Sequence, residues 1–375
     1  MQINFYPKEA NVIPPYLAAY LIHANQVGIG VLGFQRMVAK ESGQDAWISV
    51  LFAGLLCHLT VWVMFRILRK YPSADLYGIH ADVFGKWLGG LFSSCMIVYS
   101  IFAAMVVLRN YVEVVQTWMF PEVSISTVSL IILFLAMYTL LGGIRVVAGY
   151  TFLTVTLLLT LIFTMYFPLQ YARWDYLFPV LEADVGQLWN GTVTMSLTII
   201  GFEVMYVLYP YVKKKERMGI AAQLAVAVTT LLYTLIMVVT LVYFSQGQLM
   251  KTIWATLAMQ KMVSLPFIER FEFIAVSLWL FVILPNIMLY IWMACRGMKR
   301  VMGWNQKTTT YCVTCLIFLT SLVFMTRQQI DMLNKLFSTA AIVIAFVYPY
   351  LLYILVIIKQ AWSGKKEAES HGAPE

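Results

Sequence analysis

Charge is what this sequence has least of. Only 12% of its 375 residues are Asp, Glu, Lys or Arg, against roughly 25% in an ordinary soluble domain. No long polar stretch interrupts it, which excludes a separate soluble domain and a linker. It has no Walker A phosphate loop, no zinc-ligand spacing and no set of residues that reads as a catalytic triad. An enzyme is therefore not expected, nor a metal or other cofactor. Cysteines are few, and Cys57, Cys95, Cys295, Cys312 and Cys315 all fall in or beside apolar runs. No histidine lies near the Cys312–Cys315 pair, so it is predicted to be small buried filler rather than a redox or metal pair. No basic segment with a cleavage site precedes the first apolar run, which reads as a retained helix.

What the sequence does have is hydrophobic residues, 61% of the total. They cluster into runs of about 20, the length of a membrane-spanning helix. The pattern predicts an all-α membrane protein of ten transmembrane helices. The spans fall at roughly 12–37, 46–68, 87–110, 124–142, 149–168, 190–211, 219–244, 272–294, 309–326 and 336–358. A single integral membrane domain covers 1–375. Within it, repeat one is expected at about 12–168 and repeat two at about 190–358, with 359–375 a polar cytoplasmic tail.

The net charge of +8 does not point to nucleic acid, because the basic residues sit at the ends of apolar runs. With ten spans, one side holds 17 of the 26 Lys and Arg, among them Arg66, Arg69, Lys70, the run Lys213 to Arg217, Lys365 and Lys366. The positive-inside rule then puts both termini in the cytoplasm. Two longer loops, 169–189 and 245–271, are rich in aromatics such as Trp174, Trp189, Trp254 and Phe267. That composition suits the headgroup zone better than a lid.

Two of the apolar runs are broken by glycine at mid-depth, and each opens a set of five. The first break is Gln26-Val27-Gly28-Ile29-Gly30 and the second is Gly201-Phe202-Glu203. Unwound backbone at that depth survives only where it lines a cavity or is buried in protein. Paired interruptions in corresponding positions mark the substrate site of an inverted-repeat transporter fold, here a 5+5 arrangement with discontinuous helices 1 and 6. Glu203 is the most informative residue. A carboxylate at helix centre costs about 2.5–3.5 kcal/mol on insertion scales, so it faces the bundle interior or water. It reads equally as a proton-linked or amine-binding carboxylate and as a structural partner of the unwound backbone. The N–H groups around Gly28 to Val31 suit an anionic group, so together the breaks fit a zwitterion.

Tyr99, Ala103 and Ala104 lie at the same depth in the third span. Asn286 follows Pro285 in the eighth, and either touches a solute or satisfies the carbonyl that the proline frees. His23 is expected to bond a neighbouring helix. Arg109 and Glu113 stand four apart and permit an ion pair. The candidate ligand-binding set is Gly28, Ile29, Gly30, Tyr99, Gly201, Phe202, Glu203 and Asn286. No lysine lies in the fifth span and the eighth offers only Ser277, so no coupling-ion site is evident.

The stretches Gln26-Val-Gly-Ile-Gly-Val-Leu and Gln44-Asp-Ala-Trp47-Ile-Ser-Val resemble the start of the B subunits of spore germination receptors (GerAB-type permeases). Gly85-Lys-Trp-Leu-Gly, Gly201-Phe-Glu with Tyr209-Pro210, and Leu265 to Glu272 continue the likeness along nearly all of the chain. One departure is Phe34-Gln35-Arg36, where the family usually reads Leu-Pro-Arg. The resemblance implies a fold of the amino acid–polyamine–organocation transporter superfamily, in the inner membrane of a bacterial endospore. It implies lipid surroundings, a small germinant such as an amino acid, and A-type and C-type receptor subunits as partners. The rival readings are an amino-acid permease or ion-coupled symporter, and a ligand-gated channel subunit.

Overall fold

The structure, a computed structural model, describes residues 2–264, 266 and 270–371, with side chains up to residue 362. Leu265, Phe267, Ile268 and Glu269 of the family-like stretch lie outside the described residues, as do the side chains of Lys365 and Lys366. Among the described residues the chain is helical, with no strand and one isolated parallel bridge, Ile13 to Val212.

The first predicted span is split into α1 (Pro15–Gln26), a 3-10 turn (Ile29–Leu32) and α2 (Phe34–Ser42). The chain then reverses at Gly43 (φ 56°) into α3 (Ala46–Arg69) and α4 (Leu76–Trp118). Helix α4 is bent at Gly85, whose φ of 76° no helix interior adopts. A side chain of Asp75 caps its start at the Gly78 N–H, as acidic N-caps do. Helices α5 (Ile125–Leu141) and α6 (Ile144–Leu158) are parted by Gly142-Gly143, and α6 continues as a 3-10 stretch into α7 (Tyr166–Leu169).

The sixth span is split as well, into α8 (Val185–Ser196), a 3-10 turn (Phe202–Val204) and α9 (Met205–Leu208). It is followed by α10 (Met218–Tyr243), the short α11 (Gln246–Lys251) and α12 (Ala255–Gln260), then α13 (Phe271–Met302) and α14 (Gln306–Ser321). Last come α15 (Arg327–Ala341), a π-helical insertion (Ile342–Val347) and α16 (Tyr348–His371). Among the described residues, six helical stretches are long and apolar enough to cross a membrane by length and composition alone. One of these, Phe34–Arg69, is in fact two helices about the turn at Gly43.

The outer surface carries the apolar side chains expected of a lipid-facing wall, including Leu55, Leu130, Phe134, Leu231 and Leu319. Cys95, Cys312 and Cys315 are on it too. The expectation that the Cys312–Cys315 pair would be buried is therefore corrected: both sit on the exposed side of α14.

The bundle interior is built round α13, which packs along α4, and round α1, which packs on α10 and α6. Ile13, before α1, accepts from Lys213 N and donates to Tyr211 O, at 2.9 and 2.8 Å. The start of the first span is thus fastened to the end of the sixth, so the two broken helices run in opposite directions side by side. At the other ends, α2 packs on α8.

The loop expected to lie at the headgroups is partly inside. Ala255, Thr256, Leu257 and Met259 of α12 are buried, and Thr256 Oγ1 donates to the Val31 carbonyl at 2.7 Å. Gln35, standing where the family reads proline, donates from Nε2 to Thr256 Oγ1 at 2.6 Å. Segment 245–260 is thereby a cover on the first break, which a reading by aromatic density could not separate from an interfacial loop.

Candidate functional site

The two breaks meet. Helix α1 ends at Gln26 because Val27 and Gly28 are extended (Gly28 φ −117°, ψ −151°). Helix α8 ends at Ser196, and Gly201 has φ 123°, a value reserved for glycine. Unwinding frees carbonyls that must find donors in a dry interior. Asn25 Nδ2 donates to Gly201 O at 2.7 Å and Gln26 Nε2 to Ile199 O at 2.9 Å. Tyr233 Oη donates to Gln26 O at 3.2 Å. Each break therefore supplies side chains or backbone that complete the other.

Glycine is required here by contact as much as by φ. A Cβ on Gly201 would run into the Asn25 carbonyl; on Gly28 it would stand 2.9 Å from Asn286 Oδ1, and on Gly30 2.8 Å from Thr198 Cγ2.

Glu203 is buried, 1% exposed. Its Oε1 accepts from Tyr99 Oη at 2.9 Å and Tyr290 Oη at 3.0 Å, and its Oε2 accepts from Gly201 N at 2.8 Å. Among the described residues no cationic side chain pairs with it. Three neutral donors hold the carboxyl group, and no cation among those residues answers it. The site consequently has the electrostatics to take an ammonium group, whose charge none of its own residues supplies.

Asn286 does not satisfy the carbonyl that Pro285 frees. Its Nδ2 donates to Ala24 O at 2.6 Å and to Val27 O at 3.3 Å, so it pins the first break from α13. It also reaches Val282 O at 3.3 Å, not the Phe281 carbonyl that Pro285 would free. His23 bonds a neighbouring helix as expected, with Nδ1 2.8 Å from Thr229 Oγ1 of α10.

Of the candidate set, Gly28, Tyr99, Gly201, Glu203 and Asn286 converge on the junction. Phe202 turns away and packs edge-on against Phe346, centroids 5.4 Å apart. Gly30 faces Thr198, and Ile29 is a partly buried packing residue. Tyr290, Asn25 and Gln26 belong to the site but not to the predicted set. Tyr290 was detectable, since it stands one turn after Asn286 and shares its face.

The expected Arg109–Glu113 pair is absent. Glu113 pairs instead with Arg327 of α15, and Arg109 Nε donates to the Phe324 carbonyl at 2.9 Å. Spacing along one helix permits a pair, but a guanidinium on an opposed helix, which also pairs with Asp331, takes the same carboxylate.

Open space lies beside the junction. A cleft of about 770 Å³, counting space open to its surroundings, runs along the far side of the first break, lined by His23, Val27, Val31, Gln260, Trp279 and Pro285 among others. Among the described residues no group of His, Cys, Asp and Glu is arranged to hold a metal.

Three comparisons bear on this geometry. Residues 12–330 match the family described as "Spore germination protein" (Spore_permease). The sequence is 38% identical to spore germination protein GerQB of Bacillus cereus, covering 92% of this chain and 96% of that protein. It is 24% identical to spore germination protein A2 of Bacillus subtilis (strain 168), covering 91% and 94%. Among solved structures, a Na+-coupled sialic acid symporter in its substrate-bound outward-open state superposes with a TM-score of 0.64 at 12% identity, covering 89% of this chain and 79% of that one. That likeness shows a shared transporter fold.

Proposed function

Because the chain belongs to the spore germination protein family, we propose that it is the nutrient-sensing subunit of a spore germination receptor. It is an all-α membrane protein on a transporter scaffold, not an enzyme. On this reading a small germinant, of the amino-acid class, binds between the first and sixth spans. Its ammonium group replaces a tyrosine hydroxyl at Glu203, and its carboxylate takes the N–H groups freed at Gly28, Ile29 and Gly30. The two repeats, 12–168 and 190–358, would be related by inversion, with both termini cytoplasmic, the chain in the spore inner membrane, and A-type and C-type subunits reading its arrangement.

The observation that carries the reading is the buried carboxylate of Glu203, held by three neutral donors at the meeting of two broken helices. A ligand that prefers one arrangement of this junction shifts the population by its differential affinity alone. Binding of labelled amino acids to the purified chain, with and without Glu203→Gln, tests it. Equal binding by both proteins would refute the assignment of Glu203.

The shared fold with a sodium-coupled symporter supports a second reading, a working permease. Saturable uptake into proteoliposomes by this chain alone would establish that reading over a pure sensor.

A further inference from the structure

The cleft on the far side of the first break has chemistry of its own. Gln260 and Trp279 both line it, and they are 4% and 9% exposed. Each keeps one buried polar atom without a partner, Oε1 of Gln260 and Nε1 of Trp279. The assignment of the free amide atom follows from its neighbour. The Thr164 hydroxyl spends its only hydrogen on the Leu161 carbonyl at 2.5 Å. It can then only accept from Gln260, whose Nε2 lies 2.9 Å away, and Oε1 is left over. An indole nitrogen can only donate. The lining therefore includes a residue with an unmet acceptor and another with an unmet donor, which buried polar groups rarely tolerate without an occupant.

The remaining lining is mostly apolar, including Leu158, Ile162, Leu235 and Ile236, with His23, Thr154 and Thr256 its other polar members, and among the described residues no Asp, Glu, Lys or Arg contributes to it. A zwitterion would find no counter-charge there. Leu159 and Phe281 at its edge are 39% and 40% exposed, on the apolar outer face of the bundle. An occupant that enters past them comes from an apolar surface.

We propose that this cleft binds a neutral amphipath, an apolar chain ending in one group that both donates and accepts a hydrogen bond, as a primary alcohol does. The head group donates to Gln260 Oε1 and accepts from Trp279 Nε1, and the chain fills the aliphatic part. Ala24, Val27 and Val31 of the first break form one wall and Pro285 another, while the adjacent Asn286 holds the Ala24 and Val27 carbonyls. An occupant thus braces the first break from the side opposite Glu203. It acts as a modulator that tunes the junction without entering it, and it needs no germinant to be recognised.

The test uses the full-length chain in phosphatidylcholine nanodiscs and a photoreactive medium-chain primary alcohol, with 1-octanol, octane and octanoate as competitors. Labelling is expected on peptides holding Leu158 to Ile162 and Trp279 to Val282. 1-Octanol should compete roughly ten-fold or more better than octane, the difference of two hydrogen bonds. Gln260→Leu and Trp279→Phe should each weaken labelling roughly five-fold, one hydrogen bond apiece. Octane competing as well as 1-octanol would mean that any acyl chain fills the cleft, and would overturn the proposal. So would octanoate competing best, or both variants labelling like the parent. If a variant loses monodispersity, the 1-octanol and octane comparison on the unaltered chain decides alone. Failure here leaves the role of Glu203 untouched, because germinant binding is read separately.

Discussion

Replacing Gly201 by alanine perturbs the junction with a single methyl group. At φ 123° a residue with a Cβ is strained by about 1–3 kcal/mol. The new carbon would also collide with the Asn25 carbonyl, so the backbones must part and the Asn25 Nδ2 bond to Gly201 O, 2.7 Å long, is lost. That bond contributes about 0.5–1.5 kcal/mol net. Together the two effects disfavour the closed junction by about 2–4 kcal/mol, roughly a 30- to 1000-fold shift between arrangements. The assay is the germinant dose response of spores carrying the variant, with protein abundance measured by immunoblot. Gly90→Ala is the matched control, since a Cβ there meets nothing within 4 Å. Gly201→Ala is expected to move the response by at least about 30-fold at near-normal abundance, and Gly90→Ala to leave it unchanged. An unaltered response in Gly201→Ala spores would refute the claim that the two breaks must touch.

Glu203→Gln should keep most of the protein in the membrane while weakening amine-bearing germinants by roughly 100-fold, the scale of a buried charge-assisted bond; equal loss of abundance and response would make the residue structural. Tyr290→Phe and Tyr99→Phe each remove one of two donors to the same oxygen, so each should shift the response less than the double variant does, by a few-fold, in titrations on purified receptor. Thr256→Val releases the Val31 carbonyl and the Gln35 amide and should lower thermal stability by about 1–3 kcal/mol, read by fluorescence-detected melting. Arg327→Ala breaks a half-exposed pair with Glu113 and should cost at most about 1 kcal/mol, so a larger loss in the same melting assay would place that pair deeper than its exposure indicates.

The breaks and Glu203 were legible because they violate a strong rule: glycine and a carboxylate stand where membrane helices want neither. The fold followed from the pairing of those violations across the two halves. The partners were not legible. Asn25 and Gln26 reach residues more than 170 positions away, and no local spacing announces that. Arg109 and Glu113 show the converse, since spacing allowed a contact that a helix from the far end of the chain took over. The cover at α12 was missed because a short buried helix and an interfacial loop share the same aromatic, mixed composition. The cleft beside Trp279 was missed because its walls come from several spans at once.

The ladder between Ile13 and Val212 has a mechanical consequence. At that end the broken helices are laced by main-chain rungs, which any substitution but proline preserves. At the opposite end the first of them is held to its cover, α12, by side-chain bonds of Thr256 and Gln35, which let go one at a time. Movement is therefore hinged at the laced end and free at the other, like a book bound along one edge. A scaffold bound this way rocks readily, but a passage straight through it requires the binding itself to tear.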